Sequence, residues 1–255
     1  MSAAVLVVLP LAGAPGVVFA IDHKHLDQGR PLRVEDAYSI AHGELAVELG
    51  AAGIFSRRGP NRAAVPVEVL YGALPNLQIS LGTSLSTEPR AIEAPTKSGD
   101  LHLSALYNLN QETLTLPALG VKVALNLPTG VGSAGVDVEF RGIATKSFGD
   151  VSLHGNAGYA FLTGTGPGER DGRWEFVLGA SYPIGAPRHT RTTLVADVFA
   201  EQASRRGRDD VVGVEAGVRH QLTPRVVLDA GVGTELVGAA DRSPLFVTVG
   251  ISFGF

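Results

Sequence analysis

The chain has 255 residues, no cysteine and a formal net charge of -4. The lack of cysteine excludes a disulfide framework and thiolate metal sites, and the small net charge gives no basis for nucleic-acid binding. Glycine is abundant, at 32 residues, yet hydrophobic residues make up 45% of the chain, which excludes a disordered Gly/Pro-rich protein.

The first twenty residues, "MSAAVLVVLPLAGAPGVVFA", form an uncharged apolar run. Prolines and glycines interrupt this run, so it suits a transmembrane helix poorly. Val18 and Ala20 stand at the two positions that a signal peptidase reads. We therefore interpret residues 1–20 as a secretory signal peptide. The alternative is a buried N-terminal strand or helix.

Residues 21–43 carry mixed charge and show no period-two pattern. The segment is too long for a simple tail and too short for a domain. One hypothesis is a periplasmic segment that folds into or across the mouth of a barrel as a plug. Its charges would then pair inside the barrel, Arg30, Arg33 or Asp36 with, for example, Glu44 or Glu48. The other hypothesis is a disordered periplasmic leader.

From Glu44 onward, apolar residues alternate with polar or small ones almost without interruption, which is typical of half-buried strands. The pattern predicts an all-β structure. The predicted strands cover residues 44–52, 65–72, 77–84, 101–108, 120–126, 136–145, 151–161, 173–182, 193–201, 211–222, 225–236 and 244–255.

The connections between these strands alternate between short and long. Short connectors such as "TPR" (223–225) alternate with longer ones such as "TEPRAIEAPTKSGD" (87–100). This rhythm is typical of a transmembrane antiparallel up-and-down β-barrel with periplasmic turns and external loops. We expect residues 44–255 to form such a barrel of about 12 strands, closed by the C-terminal strand that ends in Phe255.

The two faces of the strands predict what each side meets. Because one face is continuously apolar and the other mixes charges with glycine, the first should meet lipid and the second the lumen. The predicted lumen-lining residues are Glu44, Glu48, Glu68, Lys122, Asp137, Glu139, Arg141, His154, Glu175, Asp197, Glu215, Arg219, Asp229 and Glu235. The predicted lipid-facing residues of the last strand are Leu245, Val247, Val249, Ile251, Phe253 and Phe255.

These features predict a protein of the bacterial outer membrane, although a soluble lipocalin-like barrel is the alternative. The expected partners are outer-membrane lipid and lipopolysaccharide, whose phosphates could meet arginines in the loops "SRRG" (56–59) and "SRRGRDD" (204–210). Solvated loop charges would explain the same arginines. The alternating last strand with its final aromatic residue resembles the signal read by the outer-membrane assembly machinery.

Three stretches resemble a known outer-membrane family labelled "putative MetA-pathway of phenol degradation". They are "GRPLRVEDAYSIAHGELAVELG" (29–50), "LNLPTGVGSAGVDVEF" (125–140) and "QLTPRVVLDAGVG" (221–233). Membership implies a twelve-stranded barrel proposed to move small, often aromatic, compounds. The family usually has Asp after the Pro-Thr-Gly of the second stretch, whereas this chain has Val131.

Two sets of side chains suggest chemistry. Ser152, His154 and Asn156 share one strand face and provide the residue types of an outer-membrane phospholipase, but neighbours on one face lie about 7 Å apart. Polar lumen lining explains them more simply. His23 and His25 form an incomplete metal site, so we expect no metal and no cofactor.

The sequence therefore favours a channel or facilitator for passive passage of a small, aromatic or hydrophobic, solute. We expect the protein not to be an enzyme. The alternatives are a lipase-like outer-membrane enzyme that uses Ser152, His154 and Asn156, and a structural barrel without transport.

Overall fold

The computed structural model describes residues 21–57, 61–86, 99–130, 133–185, 190–238 and 245–255. These residues form a closed antiparallel barrel of twelve strands, each paired with its neighbours in chain order, which confirms the predicted fold. The strands are β1 (Leu45–Phe55), β2 (Arg62–Leu74), β3 (Leu77–Ser86), β4 (Leu101–Asn110), β5 (Ala118–Leu127), β6 (Asp137–Phe148), β7 (Val151–Phe161), β8 (Gly172–Ile184), β9 (Thr192–Glu201), β10 (Val211–Thr223), β11 (Val226–Val237) and β12 (Leu245–Gly254). The expected signal peptide and the departure at Val131 lie outside the described residues.

The barrel closes where the last strand pairs with the first. Partners run from Ala46 opposite Gly254 to Phe55 opposite Leu245. The amide of Phe255 continues the ladder by donating to the carbonyl of Leu45 over 2.8 Å. Closure leaves no free sheet edge, which is the condition for strands to stand in lipid.

The alternation of turns gives the barrel two different ends. The strand ends that are joined through residues 75–76, 111–117, 149–150, 185–191 and 224–225 lie at one end, which we call the short-turn end. The strand ends that are joined through residues 56–61, 87–100, 128–136, 162–171, 202–210 and 238–244 lie at the opposite end, which we call the long-loop end. β1 therefore begins at the short-turn end, and residues 21–43 enter the barrel from that side.

Side chains on each strand alternate between the interior and the exterior. On β5, Gly120, Lys122 and Ala124 are buried, whereas Val121 and Val123 are exposed. The exterior band is apolar over all strands, so it matches a lipid environment rather than water. On β12 the predicted outward residues are exposed or half-buried, with Val249 52% exposed. Within the described ranges, no helix is both long and apolar enough to cross a membrane.

Replacing the outward Val249 near the middle of β12 tests the face assignment. We expect Val249→Arg to lower the free energy of unfolding in lipid vesicles by about 2–4 kcal/mol, because the charge must be placed in hydrocarbon. Val249→Ile is the matched control and should leave stability unchanged. Urea titration followed by tryptophan fluorescence measures both. Equal stabilities for the two variants would contradict an outward Val249.

Candidate functional site

Residues 21–43, here called the luminal segment, lie inside the barrel and follow its wall. His23 Nδ1 lies 2.7 Å from the hydroxyl of Thr193, near the short-turn end of β9. Further along the segment, the guanidinium of Arg33 reaches Glu201, at the long-loop end of the same strand. The segment thus extends along roughly 26 Å of strand before it returns to β1, at about 3.3 Å per residue.

The segment has little regular structure, so its buried amides need partners from elsewhere. Side chains from several wall strands accept these hydrogen bonds, at 2.8–3.1 Å. The donors and acceptors are Val34 to Asp197, Glu35 to Asn156, Ala37 to Thr145 and Ile40 to Gln78. The amide of Gly43 donates to the carbonyl of Gly72 on β2, and Asn108 on β4 and Thr248 on β12 donate to carbonyls of the segment. With the ion pairs described below, the segment touches every strand of the barrel.

Arg30 joins the segment to the strands where the barrel closes. Its guanidinium lies 2.5 Å from Asp229 on β11 and 3.4 Å from Glu48 on β1, and it donates to the hydroxyl of Ser252 on β12 over 3.1 Å. Arg219 donates to the carbonyl of Arg30 over 3.3 Å. The Arg30–Glu48 contact is one of the pairs that the sequence suggested.

Arg33 occupies the second charged cluster, nearer the long-loop end. Its guanidinium lies 2.7 Å from Glu201, 3.3 Å from Glu215 and 3.4 Å from Glu175. The backbone amide of Arg33 also donates to Glu215 over 2.7 Å. The guanidinium stacks 4.0 Å from the ring centre of Phe199, which suits a planar, weakly hydrated cation.

In the third charged cluster the segment supplies the carboxylate and the wall supplies the cation. Here Glu35 of the segment accepts from Lys122 of β5 over 2.7 Å. Arg141 of β6 pairs with Glu139 on its own strand, 2.9 Å away, and with Glu175 on β8. Lys122 and Arg141 therefore both have carboxylate partners inside the barrel.

The register explains why the wall needs the segment. Charged residues of equal sign face each other on neighbouring strands, and such pairs are destabilising when uncompensated. The pairs are Glu48 with Glu68, Glu175 with Glu201, Asp197 with Glu215, and Lys122 with Arg141. Arg30, Arg33 and Glu35 supply opposite charge beside all four pairs.

Hydrogen bonds and ion pairs also join two parts of the luminal segment to each other, around Leu26 and around Asp36. The amide of Leu26 donates to Asp36 over 2.7 Å, and the amide of Asp36 donates to the carbonyl of Leu26 over 3.1 Å. His25 lies 3.2 Å from Asp27 and 3.6 Å from Asp36. Burial would lower the pKa of His25, but the two carboxylates outweigh it and raise this pKa to about 10. Burial raises the pKa of Asp36 to about 6. Asp36 therefore pairs within the segment and not with the wall, in contrast to the expectation for it.

The interior also contains apolar contacts that the alternation pattern did not predict. Phe199 and Phe246 occupy inward positions, with ring centres 6.1 Å apart, on a face expected to be polar or small. They contribute to a cluster whose other members are Leu26, Leu32, Val34, Val177, Val195 and Val211. This cluster forms where the apolar side of the segment packs against β8, β9, β10 and β12.

Inward glycines give the segment room to approach the wall. A Cβ on Gly231 would lie 2.5 Å from the carbonyl oxygen of Pro31 and 2.7 Å from the hydroxyl of Thr248. At Gly179 it would lie 2.7 Å from a methyl group of Val34. The glycine-rich polar face is therefore a packing surface for the segment.

A cavity of about 960 Å³ lies at the short-turn end, beside the base of the segment. Its wall combines residues of the segment with turn residues and inward side chains. Its lining includes His23, His25, Tyr38, Glu44, His154, Ser181, Thr193 and Gln221. Polar and apolar groups thus meet there, at the entrance to the interior.

The remaining predicted lumen residues occupy several environments. Glu44 accepts from the amide of Ala41, and Asp137 accepts from the amide of Thr163 near the long-loop end. Glu68 and Glu235 are half-buried on β2 and β11.

The Ser152, His154 and Asn156 set is not assembled for catalysis. His154 bonds to Thr145 over 3.1 Å and to Ser181 over 2.9 Å. Ser152 bonds to Ser147, and the amide of Asn156 donates to the carbonyl of Glu35. The three side chains therefore serve different neighbours. Among the described residues, no three His, Asp or Glu side chains are grouped to hold a metal ion.

Sequence reasoning missed several charged residues of the interior, among them Glu201 and Glu35. Glu201 lies four residues after Asp197 on β9, so the period-two pattern contained the signal that places it inside. Glu35 lies in the segment, where no periodicity indicated its direction. Its pairing with Lys122 required the three-dimensional structure.

The fold and the apolar exterior define an outer-membrane β-barrel. The chain belongs to the family described as "Putative MetA-pathway of phenol degradation", whose match covers residues 28–253. This assignment confirms the resemblance seen in the sequence.

Solved structures show the same fold. The COG4313 outer membrane channel from Pseudomonas putida F1 is 15% identical and covers 91% of this chain and 100% of its own, with a TM-score of 0.62. The NanC porin is 11% identical and covers 80% and 98%, with a TM-score of 0.60. The CymD monoaromatic hydrocarbon channel is 10% identical and covers 84% and 89%, with a TM-score of 0.50. No curated protein matches the chain.

The contact at Gly231 generates a testable prediction. Gly231→Ala should lower the free energy of unfolding by about 1–3 kcal/mol, because the new methyl group overlaps the carbonyl of Pro31. Gly155→Ala, whose Cβ meets only a leucine methyl 3.6 Å away, is the matched control. Urea titration in vesicles compares them. Full stability of Gly231→Ala would mean that the segment does not pack against β11.

The Arg33 cluster generates a second prediction. Arg33→Gln should cost about 2–3 kcal/mol of stability, below the full penalty for a buried pair because the side chain is partly exposed. The same change in a Glu201→Gln background should cost about 1–2 kcal/mol less, since one unpaired carboxylate is gone. Arg57→Gln, in an exposed loop position, is the control. Additive costs in the double variant would contradict the coupling.

Proposed function

We propose that the protein is an outer-membrane channel for the passive passage of a small solute, and that the luminal segment narrows its bore. The observation that carries this proposal is a closed barrel with a polar, charged interior and a cavity of about 960 Å³ at its short-turn end. A polar interior behind an apolar exterior is the arrangement of barrels that conduct solutes. The solute would pass beside the segment.

A small aromatic or hydrophobic compound is the solute class to test first. The family description names phenol degradation, and one structure of similar fold is a monoaromatic hydrocarbon channel. The cavity at the short-turn end supports this choice in its own right, because its lining combines apolar residues such as Ile21 and Ile40 with polar ones such as His23 and Ser181. Sites for small molecules combine apolar walls with a few polar groups in this way.

The enzyme alternative finds no support in the geometry. Both ring nitrogens of His154 are engaged by Thr145 and Ser181, so neither is available to activate Ser152. We propose that these side chains are polar lining of the interior. The outer-membrane assembly machinery and lipopolysaccharide remain the proposed partners of the C-terminal strand and of the loop arginines.

Single-channel recording in planar bilayers tests the proposal. The full protein should show small, discrete conductance steps. A variant that retains residues 1–20 but lacks residues 21–33 should conduct at least severalfold more, because Arg30, Arg33 and the apolar side of the segment no longer fill the interior.

Proper folding of the deletion variant is checked by its heat-modifiable mobility in detergent. The Arg57→Gln variant of the full protein, which removes a charge from an exposed loop and keeps the segment, is the control. Absence of any conductance in both the full protein and the folded deletion variant would contradict a channel. Equal conductance in the two would contradict the role given to the segment.

A further inference from the structure

Hydroxyls are the commonest polar groups in the lining of the cavity at the short-turn end. Nine lining residues carry one, and they belong to the luminal segment and to the strands and turns from β6 to β10. Six of the nine are exposed or half-buried, so they can meet a molecule that enters the cavity. These six are Tyr38, Ser39, Ser147, Ser152, Thr190 and Thr223.

Two of these hydroxyls form a pair on neighbouring strands. Ser147 of β6 and Ser152 of β7 are opposite each other in the register, and their Oγ atoms lie 3.1 Å apart. Ser147 donates its hydrogen to Glu112 over 2.9 Å, so the hydrogen between the two serines comes from Ser152. Because a hydroxyl oxygen has two lone pairs, the oxygen of Ser152 remains free to accept a hydrogen from a molecule in the cavity.

The luminal segment supplies a second open hydroxyl. Ser39 is half-buried in the lining, and the described residues provide no hydrogen-bond partner for its side chain. Its neighbour Tyr38 adds an aromatic ring, whose hydroxyl donates to Glu112 over 3.4 Å. Ala41 and Pro224 add exposed apolar surface. A cavity with both kinds of surface suits a molecule that has an apolar body and a polar group.

The exposed charges of the lining cancel. They are two of each sign, Asp22, Lys24, Asp150 and Arg191. The buried charged groups of the lining are already engaged by neighbours, since His25 lies 3.6 Å from Asp36 and Glu44 accepts from the amide of Ala41 over 3.2 Å. An ionised solute that left water would therefore find no net counter-charge there, which disfavours it relative to an uncharged solute.

We infer that this cavity binds an uncharged solute with an apolar body and a hydroxyl group, and that Ser152 accepts the hydrogen of that hydroxyl. Ser39 is the second hydroxyl left open for the solute. The inference rests on the proposed channel function and adds the chemical class of the solute. A site that hydrogen-bonds a hydroxyl discriminates against an analogue that lacks it, because its own polar groups are then left unpaired.

Isothermal titration calorimetry on the full protein in detergent micelles measures this binding, with protein-free micelles as the background. Benzyl alcohol supplies an apolar body with a hydroxyl. Benzyl methyl ether lacks the hydrogen to donate, while benzylammonium and benzoate carry a charge in place of the hydroxyl. The alcohol should bind severalfold more tightly than each of the other three.

Substitutions of single hydroxyls locate the binding site. Ser152→Ala should weaken binding of the alcohol by about two- to tenfold, the effect of one neutral hydrogen bond, and should leave binding of the ether unchanged. Ser39→Ala, which removes a hydroxyl without a partner in the described part of the chain, should weaken binding of the alcohol as well. Ser104→Ala is the matched control, because its hydroxyl pairs with Ser80 at 2.7 Å on a neighbouring strand outside this cavity. Heat-modifiable mobility in detergent checks that each variant is folded.

The possible results separate the binding site from the channel. Failure of the alcohol to bind, or equal binding of the alcohol and its ether, would overturn the hydroxyl site and leave the channel standing. Tighter binding of benzoate or benzylammonium would overturn the preference for an uncharged solute. A preference for the alcohol that Ser152→Ala and Ser39→Ala leave unchanged would overturn the assignment to this cavity. Binding at equilibrium needs no conductance, so binding without any conductance in bilayers would overturn the channel alone.

Discussion

The structure depends on the arginines that the luminal segment carries between like-charged strands. Glu175 faces Glu201 across one strand pair, and Asp197 faces Glu215 across the next. An empty barrel with this wall would hold adjacent carboxylates in a confined space, which is unfavourable. Arg33 lies between three of them, and Arg30 has the same position between Glu48 and Asp229. Wall and segment are therefore one electrostatic unit.

The same dependence appears in the packing. Gly231 leaves space for the carbonyl of Pro31, and Gly179 leaves space for Val34. The apolar residues of the segment cover Phe199 and Phe246, which would otherwise line an aqueous interior. Since these contacts involve residues far apart in sequence, the segment can take its place only when most of the barrel has formed.

The sequence was sufficient for the barrel because strand periodicity is a local signal. The predicted strand at 193–201 matches β9 within one residue, whereas the one at 65–72 is shorter than β2 (Arg62–Leu74), because its ends extend into loop residues without alternation. The interior was harder to predict. The pairing of Glu35 with Lys122 and the inward Phe199 depend on how an irregular segment meets a wall, and no periodicity reports that.

The strength of the segment's contacts also constrains how a solute can pass. Breaking a buried ion pair costs about 3–5 kcal/mol, and the partly exposed Arg33 costs about 2–3 kcal/mol, so expelling both Arg30 and Arg33 would cost on the order of 5–8 kcal/mol. That is comparable with the whole stability of many folded domains. An expelled state would then be populated about once in several thousand molecules or less, too rarely to account for steady passage. We therefore expect the solute to pass beside the luminal segment while the segment stays in place.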